Sequence, residues 1–350
     1  MMGQEHIMNL NLTDGAQLVA ISDPHEPSRE EALKIAALKN SDVRAYATHQ
    51  EMLTAEELGA VIIASPNFTH IDVLRDLLPR DIAILCEKPL CTTIEDAQEI
   101  THAVNNREAL FWTGLEYRYM PPVQEFVQRL HMGITGKVRM LYVREHRFPF
   151  LPKIGDWNRF NKNTGGTLVE KCCHFFDLMR HLLQDEPVRI FASGGQDVNH
   201  REERYDGKAP DILDNAYVII DFAGGTRAVL DLCMFAEGAE EQEEIYAVGD
   251  KGRLEVKIPG GNIIWSPRDK SGPFVEHIDT PTEVLAAGQH HGATYYQLQA
   301  FQTALLNGTP PQVSAVDGLR SVEMGIAAQQ SIATGLPVDL TAAPAWKTAS

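Results

Sequence analysis

Residues 60–90, AVIIASPNFTHIDVLRDLLPRDIAILCEKPL, decide the fold of this chain. Two apolar runs, AVIIA (60–64) and AILC (83–86), flank THIDVLRDLLPR (69–80), whose apolar residues recur at helical spacing. Neither run alternates apolar with polar residues, so both faces of each strand are expected to be covered, as in a parallel sheet with helices on its two sides. The same pattern extends outward. Upstream, AQLVAIS (16–22) and VRAYA (43–47) read as strands around the helical SREEALKIAALKN (28–40). Downstream, the helical TIEDAQEITHAVNNR (93–107) precedes the strand in ALFWTGLEYR (109–118). Ser28 with Glu31, and Thr54 with Glu57, have capping-box spacing and are expected to open helices. Residues 1–120 therefore read as a doubly wound α/β domain.

After residue 120 strands follow one another directly. A helix (PPVQEFVQRLHMG, 121–133) leads to KVRMLYVREHRF (137–148), a long loop and a helix around 170–183. DNAYVIIDF and TRAVLDLCMFA are joined by Ala223-Gly224-Gly225, and EEIYAVG and RLEVKI by Asp250-Lys251-Gly252, which predicts two hairpins. Two further helical stretches (292–308 and 316–335) precede a tail, 341–350, that reads as loose. Residues 121–350 are thus expected to form an α+β domain with a mostly antiparallel open sheet.

With 48 acidic against 31 basic residues, the formal charge of -17 argues against nucleic acid or an anionic membrane as partner. No apolar run approaches the ~20 residues that span a bilayer, and the N-terminus lacks a signal-peptide core, so a cytoplasmic protein is expected. Five cysteines without C-x-x-C spacing indicate neither a disulfide framework nor a metal site; they read as reduced, mostly buried thiols.

Three groups of residues could carry chemistry. Glu87 and Lys88 fall where the strand before Pro89 should end, and in an open parallel sheet the carboxyl ends of strands face the ligand crevice; an ordinary surface lysine fits the same position. In GGTLVEKCCHFFDLMRHLL (165–183), Glu170, His174, Asp177 and His181 fall within roughly 60° of a helix surface. That stripe suits proton exchange between carboxylate and imidazole, or simply a solvated helix face. Gly165-Gly166 before it suggests a close backbone approach, and Cys172 and Cys173 read as packing thiols. Asp23 lies 20 residues past Gly3, the interval between the last glycine of a dinucleotide-binding turn and its ribose-binding acid; equally, it is a turn residue before Pro24. Finally, the loop at 144–166, with Asp156 and Trp157, and Tyr117 and Arg118 before it, mixes aromatic surface with hydrogen-bonding groups suited to a polyhydroxylated ring, or forms an exposed loop.

Together these fragments resemble the Gfo/Idh/MocA-like group of nicotinamide-dependent oxidoreductases (glucose-fructose oxidoreductase, inositol dehydrogenase, rhizopine catabolism). Glu87-Lys88-Pro89 resembles its hallmark, ASPNFTH (64–70) its cofactor loop, and Gly165, Gly166, His174 and Asp177 its second-domain signature. The resemblance implies a Rossmann-type first domain and hydride transfer between nicotinamide and a hydroxyl carbon of a cyclitol, sugar or sugar derivative. Lys88 and His174 are then catalytic, with Glu170 where most relatives carry aspartate. Gly3, Asp23, Ser65, Pro66, Asn67, His70, Glu87 and Lys88 meet the cofactor, and Tyr117, Arg118, Asp156, Trp157 and Asp177 the substrate. Asp23 would repel a 2′-phosphate, so NAD is expected rather than NADP. The resemblance also implies a homodimer or homotetramer paired through the open sheet face. Some similar proteins use NAD without net redox change as lyases or glycosidases, and a few sense nucleotides without catalysis; both remain alternatives. In the group the chain begins with a strand running into G-x-G-x-x-G, whereas MMG (1–3) matches only the last x-x-G, so that strand is expected upstream of residue 1.

Overall fold

The strand-helix alternation of the first third is present in the computed structural model, which describes residues 2–340; the tail expected to be loose, 341–350, lies outside them. Along the chain come α1 (Met2–Leu12), β1 (Ala20–Ser22), α2 (Glu26–Ala36), β2 (Arg44–Tyr46), α3 (His49–Ala55), β3 (Ala60–Ile63), α4 (His70–Leu77), β4 (Ala83–Glu87), α5 (Ile94–Val104) and β5 (Phe111–Gly114). All pairs among these strands are parallel. β4 is buried along its whole length, and Ile84, Leu85 and Cys86 are fully enclosed. Leu74 and Leu77 of α4 and Ala97 and Ile100 of α5 pack in the same core, each large aliphatic side chain contributing about 1.5–3 kcal/mol on burial.

Two local expectations need correction. α2 starts at Glu26, two residues before Ser28, because Pro27 in its first turn has the helical φ built in; Ser28 Oγ instead meets His25 Nδ1 at 2.9 Å. The capping box of α3 is Thr48 with Glu51, not Thr54 with Glu57. Thr54 lies inside the helix and donates to the Gln50 carbonyl at 2.8 Å. The parallel strands, moreover, form two sheets, β1-β2 and β3-β4-β5, rather than one. In the doubly wound order a central strand pairs with both halves, and no strand among the described residues occupies that place.

The chain continues with α6 (Pro121–His131), β6 (Val138–His146), a short turn of helix at Ile154–Arg159, α7 (Asn161–Thr164), α8 (Thr167–Glu170), α9 (Cys173–Leu183), β7 (Pro187–Gly195), β8 (Asn215–Phe222), β9 (Arg227–Cys233), β10 (Glu243–Gly249), β11 (Gly252–Ile258), β12 (Asn262–Pro267) and β13 (Phe274–His277). The two expected hairpins are β8-β9 and β10-β11. Along β8, Ala216, Val218, Ile220 and Phe222 are buried while Tyr217 and Ile219 are exposed, so one face of the sheet is covered and the other open. α6 packs on β11 and α9 on β6.

The remaining elements are α10 (Thr282–Ala286), α11 (Ala293–Asn307), α12 (Ala315–Thr334) and β14 (Val338–Asp339). β14 completes a nine-stranded sheet in the order β13-β12-β11-β10-β6-β9-β8-β7-β14, in which only β6-β9 is parallel. Packing groups residues up to 91, 95–120 and 280–319 in one unit, and 92–94, 121–279 and the residues from 320 on in the other. Residues 280–319, expected in the second domain, pack in the first of these units. α11 packs on α1 and on the turn of helix at Glu116–Tyr119, and Phe301 meets Trp112 edge-on with ring centroids 6.0 Å apart.

Candidate active site

In the first unit, β4 ends at Glu87 and Lys88 follows it directly, half-buried. Gly114 stands opposite Glu87 in the β4-β5 ladder. A Cβ there would come within 2.9 Å of the Glu87 Cα, so only glycine lets β5 lie this close. One oxygen of the buried Glu87 carboxylate is 2.7 Å from His6 Nε2 on α1, and the other accepts the Lys88 backbone N–H at 3.2 Å. Burial would raise the Glu87 pKa, but the hydrogen bond and charge of His6 outweigh it and hold the carboxyl below its ordinary range. Burial likewise opposes a charged His6, and the Glu87 carboxylate overcomes it, raising the imidazole. Beside this pair, Thr294 reaches Glu116 Oε2 at 2.6 Å and Glu5 Oε1 at 3.0 Å, and His290 Nδ1 lies 2.8 Å from Glu5 Oε1. Burial pushes Glu116 up.

His70 is fully buried, with its ring nitrogens 2.9 Å from the Pro89 carbonyl and 3.1 Å from that of Ser65. It lies between the 65–70 loop and the segment after Lys88; burial lowers its pKa, so the neutral ring donates to one of the two carbonyls. Arg118, expected at the substrate, donates to the Gln312 carbonyl at 3.0 Å and pairs with Asp317 at 3.3 Å. Its guanidinium is thus committed to holding residues 312–317, and Tyr117 next to it is buried.

In the second unit, Glu170, His174 and Asp177 are buried, at 7, 2 and 1% exposure, and His181 half-buried, which removes the solvated-face reading for the first three; Glu170 closes α8 while His174 lies in the first turn of α9, so the helix expected around 170–183 is interrupted at Lys171 and Cys172. Phe175, Phe176 and Met179 on the rest of α9 are fully buried too. Gly165 and Gly166 both have positive φ, and a Cβ on Gly166 would meet the Gln329 side-chain oxygen at 1.6 Å. The close approach of Gly166 is to α12, whose Gln329 donates to the Gly165 carbonyl at 2.7 Å, while a Cβ on Gly165 would meet Val169 and the Thr92 carbonyl. Asp156 sits half-buried with φ 50 in the turn at Ile154–Arg159, and the Trp157 carbonyl accepts from Asn163 at 2.9 Å. All five cysteines are free thiols, and all but Cys233 are buried.

Sequence reasoning missed Lys171, Glu145 and Glu243. Glu145 and Glu243 face each other directly across the β6-β10 ladder, and Lys171 Nζ lies 3.0 Å from Glu145 Oε1. The signal was present: both glutamates take the buried phase of their strands, with Leu141 and Val143, and with Ile245 and Ala247. Burial and the neighbouring Glu145 charge push Glu243 up to about 8. A carboxyl raised in this way stabilises the fold while protonated, fully so below its unfolded pKa, and loses that contribution as pH rises through its folded value. Thermal stability should therefore fall progressively from about pH 5 to about pH 8 and level off above it, and Glu243→Gln should flatten that fall in calorimetry.

Residues 1–115 match the oxidoreductase family's NAD-binding Rossmann fold, and residues 127–340 match its C-terminal alpha/beta domain. The chain belongs to the Gfo/Idh/MocA oxidoreductase family and is an NAD-dependent enzyme of that class. It is similar to myo-inositol 2-dehydrogenase of Thermotoga maritima, with 26% identity over 345 residues covering 94% of this chain and 93% of the relative. It is also similar to scyllo-inositol 2-dehydrogenase (NAD(+)) of Bacillus subtilis, with 26% identity, 97% of this chain and 93% of that one. Among solved structures, levoglucosan dehydrogenase in complex with NADH superposes with a TM-score of 0.85 at 18% identity, over 97% of this chain and 96% of that one, a likeness of fold.

The first unit carries features that fit NAD. α1 begins beside the carboxyl end of β3, where a Cβ on Gly3 would meet only Ala64, at 3.9 Å. Asn67 is buried and its side-chain nitrogen has no hydrogen-bond partner among the described residues. Asp23 follows β1; one of its oxygens accepts the His25 N–H at 2.8 Å, so it serves the turn before α2 as well. No helix among the described residues is long and apolar enough to cross a membrane.

Proposed function

We propose that this chain oxidises a secondary hydroxyl of a cyclitol, sugar or sugar derivative to the ketone, with NAD as hydride acceptor. The observation that carries this reading is the near full-length similarity to two inositol dehydrogenases, in a chain that has Lys88 and His174 within the family's two motifs. When bound, NAD supplies the ring carbon that takes the hydride. His174 removes the hydroxyl proton as general base. Glu170, four residues earlier, fixes the tautomer of His174 and stabilises its charged form, with a reach one methylene longer than aspartate. Lys88 offers its ammonium to the developing alkoxide. Asp177, Asp156 and Trp157 hold the substrate, with Tyr117 supporting it. Gly3, Ser65, Pro66 and Asn67 line the cofactor, and Asp23 accepts hydrogen bonds from a ribose diol and disfavours a 2′-phosphate.

The test is to mix the protein with NAD and a panel of inositols, pyranoses and sugar derivatives and to follow the reduced-nicotinamide absorbance band. Growth of the band with one of them supports the reading. NAD binding with no reduction across the panel sinks it, and product formed without net reduction would point to lyase chemistry.

On the same reading the enzyme works in the cytoplasm as a homodimer or homotetramer paired through the open sheet face. That face exposes Met140 paired with Val248, and Phe191 paired with Ile219 beside Tyr217, large apolar side chains of the kind that mark an interface. The double change Tyr217→Asp and Ile219→Asp should reduce the mass measured by light scattering to that of one chain, with little change in thermal stability.

A further inference from the structure

We infer that His6 is a positioning residue for Lys88, holding the end of β4 through Glu87. The inference rests on the reading above that Lys88 handles the substrate oxygen. His6 and Glu87 are each more than nine-tenths buried, and they meet at 2.7 Å across 81 residues of chain. The Nδ1 of His6 is buried without a hydrogen-bond partner among the described residues, so the contact with Glu87 is the one directional tie this ring makes there. Glu87 in turn carries two loads, the imidazole on one oxygen and the Lys88 N–H on the other. An apolar side chain would fill the volume of His6 equally well; what imidazole adds is a donor and a positive charge beside a carboxylate that adjoins Lys88. His6 also feels the charges of Glu5 and Glu116, both of which approach His290. Each of these groups lies in the first unit.

One physical consequence follows. Without the donor, the Glu87 carboxylate is free to turn, and the Lys88 amide loses a fixed acceptor. It is measurable with no substrate: hydrogen exchange of the peptide containing Lys88 reports its amide, with a peptide of the second unit as internal reference.

In His6→Leu exchange at Lys88 should speed at least about tenfold relative to the reference peptide, as for a lost hydrogen bond of about 1.4 kcal/mol. In His6→Gln, which keeps an N–H for Glu87, exchange should return toward wild type. Exchange unchanged in His6→Leu, or equally fast in His6→Leu and His6→Gln, overturns the inference and leaves His6 a packing residue. Should His6→Leu fail to fold, His6→Met supplies the same comparison with His6→Gln. Wild-type turnover by Lys88→Met would remove the catalytic reading of Lys88 and leave the exchange result standing, so the two failures are separable.

Discussion

Lys88→Met should lower kcat/KM by about 10²–10⁴-fold, the usual range for removing a group that handles charge or a proton at the reacting centre, with NAD affinity within about threefold of wild type. Methionine keeps the length and apolar stem of lysine and removes only the ammonium, so the half-buried stem retains its packing. Because the ammonium is needed in the transition state more than in the ground state, the loss should fall on kcat and spare KM. The companion change His174→Gln should cost a similar factor. If both groups serve one proton transfer, the double variant should be little worse than either single one. Independent, multiplicative losses would show that the residues act in separate steps, and a Lys88→Met enzyme with wild-type kcat would reject the assignment outright.

The largest effect on stability is expected at Lys171. Its ammonium stands against Glu145, which is fully buried and faces Glu243 across two strands. Removing one partner of a buried ion pair leaves an uncompensated charge, and Lys171→Met should therefore destabilise the fold by about 3–5 kcal/mol. At roughly 2–4 °C per kcal/mol for a domain of this size, calorimetry should record a fall of at least about 6 °C. Arg147, 3.5 Å from the same Glu145 oxygen, offers only partial relief. Adding Glu145→Gln to Lys171→Met should restore more than half of the loss, since it removes the stranded charge. A Lys171→Met protein that melts within about 2 °C of wild type would show that the pair contributes no net stability. Lys171 precedes His174 by less than one turn, so the same variant reports whether this ion pair steadies the start of α9.

Most strands of both units were legible because their apolar residues follow one of two simple patterns. β4 is an unbroken run covered on both faces, while β8 alternates because one face of its sheet is open; β3, an equally apolar run expected to be covered on both faces, is only half-buried except at Ile63. Helix starts were read less well: a proline moved one forward, and a threonine six residues earlier than the one expected capped another. Candidate residues at element ends, Lys88 and His174 among them, stood out by type and spacing. Arg118 did not reveal its commitment, because Gln312 and Asp317 lie about two hundred residues away in the chain, and no local pattern records such a pairing.

The sequence by itself determined the alternating first unit, the hairpins of the second, and the two short motifs around Lys88 and His174, since each depends on residues within a few turns of one another. Tertiary structure alone decided that residues 280–319 pack in the first unit, that Glu170, His174 and Asp177 are enclosed, and that His6 meets Glu87 and Lys171 meets Glu145. The physical reason is that burial and ion pairing are set by what distant segments bring to a point in space, and a charged side chain reads the same in sequence whether water or another charge awaits it.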